Sequence, residues 1–257
     1  MKTPIALTTA RWELMNTASG ISAASRDLLI SFLDEKIGYP AKAVIVEPGT
    51  PTKPIAPLPD LTGKAKIALC VGHARANDAG AFAYNGIAEE SYNDHQVIVI
   101  KKKLEALGYR VEVISFYQGS NYSQAMVWLA KHLRDNGFTH AFEFHFNSAG
   151  PTAKGFEFLY WHLSVKGKIM AKIFQQLFAE TFLDKFNRGV EALGDEAHER
   201  GVLFTSITHC PAIICEPFFG SNKADAESFM TEEGREKLAT FYASAIDKSV
   251  KALAQAA

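Results

Sequence analysis

Four short stretches of the chain end in residues that can do chemistry together. They are Gly72-His73 after "KIALCV", the pair Glu89-Glu90 ahead of "SYNDHQVIVIKKKLEALG", His145-Phe146-Asn147 closing "THAFEFHFN", and Glu216 after "AIIC". Two imidazoles and one carboxylate from separate elements make a donor set for zinc, each ligand at roughly 2.0–2.2 Å, with a fourth position open to water. A further carboxylate alongside can take a proton from that water and later return it to a leaving group. The chemistry would be hydrolysis. The chain has no HExxH and the four stretches are far apart in sequence. Residue types alone therefore leave a second reading open, in which each histidine satisfies a local hydrogen bond.

The elements that must position these residues alternate. "KIALCVG" (66–72) reads as a short apolar strand ending in glycine, 91–108 as a helix with a glycine stop, and "YRVEVISF" (109–116) as a strand. A second helix opens near Asn121 to Gln124 and runs through "QAMVWLAKHLRDNG". Strands follow at 139–146 and 155–161, a helix at 164–182, a strand at 211–219 and a closing helix at 231–254. The phenylalanines at 142, 144, 156 and 158 fall on the strands and are expected in the core. This alternation predicts an α/β fold: a mostly parallel twisted sheet with helices on both faces. Sites in such sheets lie beyond the carboxyl ends of the strands, which is where Gly72-His73, His145 and Glu216 fall.

The chain has 257 residues, 47% of them hydrophobic and 21% charged, with a net charge of −1. It is long enough for one large α/β domain, or for a medium domain plus a small appendage. The near-neutral balance gives no electrostatic reason to expect nucleic acid, and "IKKKLE" reads as a solvated helix face. No apolar run reaches the ~20 residues that a membrane-crossing helix needs. Five of the ten prolines fall between Pro48 and Asp60. The expected organisation is a short N-terminal accessory segment over 1–47, with a helix at Ser22 to Lys36 and a strand "AKAVIVE", then a proline-rich linker over 48–63, then the main domain over 64–257. Cys70, Cys210 and Cys215 are too few and too irregularly spaced for a disulfide framework and are expected as buried small hydrophobes.

The wording around the four stretches resembles a known family, the zinc-dependent N-acetylmuramoyl-L-alanine amidases of family 3. "VGHARANDAGA" resembles that family's GHGGxDxGA opening. "GIAEESYNDHQVIVIKKKLEALGYRVEVIS" resembles its glutamate, asparagine four residues on, and following helix; "FEFHFNSA" its S-x-H-x-N-A strand end; "KGFEFLYW" its G-x-E-x-x-Y strand. "PAIICEPFFGSNKADAE" is similar to P-x-x-L-x-E-x-G-F-x-S-N-x-x-D/E. The likeness runs from about Lys64 to Ala254, in order, and leaves the first 60 residues outside.

The resemblance implies one Zn2+ ion held by His73, Glu89 and His145, with Glu90 as the alternative to Glu89 one residue on. It places Glu216 on the catalytic glutamate, polarising the attacking water and protonating the departing amine. The implied reaction is hydrolysis of the amide between N-acetylmuramic acid and L-alanine in peptidoglycan, with cell-wall lysis as the outcome. Asn147, Asn222 and His198 are candidates for ordering the site or touching substrate. His95, His132, His140, His162 and His209 are expected away from the chemistry. With no recognisable signal peptide, the protein is expected to be made in the cytoplasm and to reach the wall after release, as a phage endolysin does, or as a bacterial enzyme exported by an unusual route or delivered like a toxin, with residues 1–47 as a wall-binding module or a cover. A zinc carboxypeptidase-like or other amidohydrolase, and a non-catalytic wall-binding protein, are the competing expectations. The chain departs from the family pattern at Ala74-Arg75, in place of two glycines, and at Pro217-Phe218, where a glycine is usual before Phe219.

Overall fold

The structure, a computed structural model, describes residues 65–194 and 201–255. The expected helix at 22–36, the strand at 41–47, the linker at 48–63 and His198 lie outside the described residues. The elements are β1 (Lys66–Val71), α1 (Glu89–Ala106), β2 (Arg110–Ile114), α2 (Tyr122–Asp135), β3 (His140–Phe144), β4 (Phe156–Trp161), α3 (Val165–Thr181), β5 (Asn187–Leu193), α4 (Val202–Ile207), β6 (Ala212–Glu216), α5 (Lys223–Met230) and α6 (Glu232–Gln255). Among the described residues, no helix is long and apolar enough to cross a membrane.

The six strands form one sheet in the order β2-β1-β3-β6-β4-β5. β2, β1, β3 and β6 are parallel; β4 runs against β6, and β5 runs parallel to β4. The sheet is thus mostly parallel with a reversed pair at one edge. The chain goes from β1 to β2 on one side and returns to β3 on the other, so the order switches at the β1–β3 junction. A crevice forms there because the flanking connections leave in opposite directions.

Strand register sorts the side chains onto two faces. One face carries Phe142, Phe144, Cys215 and Phe158, all buried. Their rings mesh with those of α3 and α6: Phe142 stacks on Phe174 at 5.5 Å, and Phe144 meets Tyr242 edge-on at 4.9 Å. These helices are held by apolar residues of helical spacing, such as Met170, Phe174 and Phe178 on α3. The expectation that the phenylalanines are core and the cysteines buried is met, with Cys70, Cys210 and Cys215 all buried and free.

The other face carries Glu143, Ile214, Leu159, Glu216 and Glu157, paired across the strands as Glu143 with Ile214, Ile214 with Leu159, and Glu216 with Glu157. A row containing three carboxylates cannot be a dry core without great cost. Instead it lines a cavity of about 820 Å3, closed in part by Tyr122, Ala125 and Met126 of α2. The reversal of β4 has a direct consequence here. It brings the start of that strand, with Glu157, to the same sheet edge as the last residue of β6, Glu216.

Candidate active site

Three adjacent parallel strands end at this edge. β1 runs into Gly72-His73, where His73 has φ 61, the left-handed region that few non-glycine residues adopt. Gly72 is needed beside it: a Cβ there would lie 2.3 Å from His145 Cε1. Gly80 closes the loop from the other side, where a Cβ would lie 2.6 Å from His73 Cδ2 and 2.8 Å from Glu89 Oε2. Glu89 is the first residue of α1 and 3% exposed, and the helix dipole favours a carboxylate at that end. Asn93, four residues on, donates its side-chain N–H to the Glu89 carbonyl at 3.0 Å and anchors the turn.

The side chains converge. Glu89 Oε1 lies 2.8 Å from His145 Nδ1, and Glu89 Oε2 lies 3.4 Å from His73 Nε2. One ligand-capable atom from each of His73, Glu89 and His145 lies within 4.8 Å of the others, so these three residues are placed to hold a metal ion. The two imidazoles stand edge-on with centroids 5.0 Å apart. Glu90 points elsewhere and accepts from the Ser91 hydroxyl at 3.3 Å, which separates the two neighbouring glutamates.

Further groups back the cluster. His73 Nδ1 lies 3.0 Å from Asp78 Oδ1, and Asp78 Oδ2 accepts from Arg75 at 3.2 Å. The departure at Ala74-Arg75 therefore supplies a cation that pins the aspartate behind His73. Burial alone would raise the Glu89 carboxyl, but the contacts with His145 and His73 outweigh it and hold it far below the usual carboxylate range. Burial works the other way at Glu216: it pushes that carboxyl up to about 8, opposed by His145 and assisted by Glu89, Glu157 and Glu143. Glu216 Oε2 is buried and has no hydrogen-bond partner among the described residues. Glu216 lines the cavity and forms no salt bridge among the described residues.

The Pro217-Phe218 departure is absorbed without breaking the edge. His145 N–H donates to the Cys215 carbonyl at 3.0 Å, and Asn147 N–H donates to the Phe218 carbonyl at 2.9 Å, so β3 and β6 keep pairing past the proline. Phe218 is fully buried, stacked between Phe146 at 5.6 Å and Phe229 at 4.7 Å.

The family model described as N-acetylmuramoyl-L-alanine amidase (Amidase_3) matches residues 67–248, and that span contains every one of these groups. The chain belongs to this amidase family. Solved amidase structures share its fold. The CwlD amidase of Clostridioides difficile, solved in complex with the GerS lipoprotein, is 19% identical with a TM-score of 0.64, covering 74% of this chain and 100% of that one. The catalytic domain of CwlV from Bacillus (Paenibacillus) polymyxa var. colistinus is 19% identical at a TM-score of 0.61, covering 73% and 98%. The catalytic domain of the CD27L endolysin, which targets Clostridia difficile, is 22% identical at 0.60, covering 72% and 97%. No curated protein matches the sequence.

Within this amidase, the remaining sequence candidates separate. Asn147 lines the cavity and donates its side-chain N–H to Glu157, which also accepts from Arg188 at 2.8 Å. Asn222 is not among the cavity-lining residues: its side-chain oxygen caps α5 by accepting from the Ala224 and Asp225 N–H groups, and its side-chain amide donates to the Ala153 carbonyl at 2.9 Å. It orders a loop, because an N-cap side chain is consumed by the helix end. The other described histidines serve elsewhere; His140, for example, opens β3 at the far end of that strand. Sequence reasoning passed over Asp78, Glu143 and Glu157. Glu143 was readable from strand periodicity, since it lies two residues before His145 and so shares its face.

Proposed function

We propose that this chain is a zinc-dependent N-acetylmuramoyl-L-alanine amidase, hydrolysing the amide that joins the lactyl group of N-acetylmuramic acid to L-alanine in peptidoglycan. The observation that carries the reading is the meeting of His73, Glu89 and His145 in one cavity with Glu216, whose buried Oε2 has no hydrogen-bond partner among the described residues, in a chain of this family. Two imidazoles and a carboxylate are the donors zinc prefers, and a three-residue set leaves it open on one side. When bound, zinc supplies Lewis acidity toward a water and the scissile carbonyl.

The chain's own residues do the rest. His73, Glu89 and His145 hold the ion. A cation beside Glu216 favours its carboxylate over the neutral acid that burial alone would impose. Glu216 then takes the proton from the attacking water at Oε2 and delivers it to the amine nitrogen as the C–N bond breaks. The cavity of about 820 Å3 has room for a sugar–peptide junction, and its half-enclosed walls limit water around the reacting amide. Purified peptidoglycan digested with the protein should release peptides whose free amino terminus is L-alanine. Release of a single terminal amino acid would instead make it a peptidase, and no soluble product would remove the enzymatic reading.

A further inference from the structure

Glu143 has no part in the chemistry just described, yet it is 4% exposed and faces the cavity. Its Oε1 accepts from the Tyr117 hydroxyl at 3.2 Å, and its Oε2 lies 3.3 Å from His145 Nε2. The other ring nitrogen, Nδ1, lies 2.8 Å from Glu89 Oε1. The imidazole of His145 is therefore held between two buried carboxylates, one at each nitrogen. A neutral imidazole has a single N–H and a single lone pair, so it can serve only one of them as donor. A cation shared with Glu89 would remove the conflict, taking the Nδ1 lone pair and leaving the Nε2 N–H for Glu143.

We propose that Glu143 is a positioning residue: steadied by Tyr117, it accepts the Nε2 hydrogen of His145, fixes that tautomer, and turns the Nδ1 lone pair toward Glu89 and His73. This rests on the zinc reading above. The same logic is repeated at the other imidazole, where Asp78 stands 3.0 Å from His73 Nδ1 while Nε2 faces Glu89. A carboxylate behind a ligating histidine locks its ring orientation and raises its basicity. The strand-end pattern S-x-H-x-N-A has a serine where this chain has Glu143, so the device belongs to this chain's own sequence. Tyr117 fits it structurally: the ring is buried, and its backbone N–H is fastened to the Ala74 carbonyl at 2.9 Å, in the loop that carries His73.

The test uses the full chain with zinc as the probe. In zinc-loaded protein labelled with 15N-histidine, long-range 1H–15N correlations should show His145 protonated at Nε2 and not at Nδ1. Competition with a chromophoric chelator should then show Glu143→Ala losing zinc affinity by about 10–100-fold. Glu143→Gln, whose amide oxygen still accepts an N–H, should stay close to wild type. A proton on Nδ1, or a folded Glu143→Ala protein that holds zinc as tightly as wild type, overturns the inference. The tautomer is read on wild type, so the inference stands or falls even where the alanine variant does not fold. Wild-type protein that takes up no zinc would sink the reading beneath it, whereas zinc uptake with the wrong tautomer sinks this inference alone.

Discussion

Glu89 Oε1 lies 2.8 Å from His145 Nδ1 although 56 residues separate them, and the same oxygen accepts the Phe146 N–H at 3.2 Å. The second oxygen accepts the Ala81 N–H at 3.0 Å. One side chain thus joins the start of α1, the end of β3 and the loop after β1. Glu89→Ala should cost more than a ligand. It strips acceptors from two backbone donors, which costs on the order of 2–3 kcal/mol even in metal-free protein. Urea melts of chelator-treated wild type and variant would show the difference; equal midpoints would mean that the carboxylate has no such structural role.

Gly72 offers a cleaner separation of site from fold. Its backbone is not in the left-handed region, so alanine is tolerated locally, yet the added methyl would lie 2.3 Å from the His145 ring. Gly72→Ala should displace that imidazole and reduce zinc affinity at least about tenfold, in line with the cost of losing ligand orientation. Chelator competition measures the first effect and a thermal melt checks that the protein remains folded. Unchanged affinity would show that the ring moves aside without consequence.

The raised carboxyl of Glu216 predicts a pH-dependent penalty in the metal-free protein. Its folded pKa is about 8, mainly through burial, against about 4.3 for an unperturbed glutamate. Between these values the folded chain keeps a proton that the unfolded chain has released, so stability falls as pH rises through that window and levels off above it. Glutamine cannot ionise. Glu216→Gln should therefore gain stability relative to wild type as pH rises, by roughly 4 kcal/mol more at pH 8 than at pH 5. Denaturant melts at both pH values with chelator present test this, and an equal offset at the two would contradict it.

Asp225 supports the same edge from beneath. Its Oδ2 accepts the Gly155 N–H at 2.9 Å and the Phe219 N–H at 2.8 Å, tying the entry of β4 to the loop after Glu216. Asp225→Ala leaves two buried donors unpaired and should destabilise the fold by about 2–3 kcal/mol, read from equilibrium unfolding. A loss below half a kilocalorie would mean that water replaces the carboxylate.

How far the sequence alone reached follows from what each element needs. β1, β3 and β6 are short apolar runs buried by neighbours on both sides, and the helices that cover them have helical apolar spacing, so pattern sufficed. The histidines and Glu216 were legible because they sit where those runs stop. β5 was not: "NRGVEAL" is an edge strand, exposed along most of its length, and has no apolar period to read. α5 is only eight residues long and is set by the Asn222 cap. The reversal of β4 was partly legible. Only the short stretch between His145 and Phe156 links it to β3, and a parallel crossover needs a dozen residues or more, usually with a helix. The pairing of Glu89 rather than Glu90 with the histidines depended on helix phase, which one residue of uncertainty at a helix start conceals.

In the proposed function, His73, Glu89 and His145 hold a zinc ion on which amide cleavage depends. Metal content and release of L-alanine-terminated peptides, measured on the same preparation before and after chelation, test it most directly. The protein should hold one zinc per chain, lose both metal and peptide release on chelation, and recover both when zinc is returned. Undiminished peptide release from protein stripped of metal would contradict it.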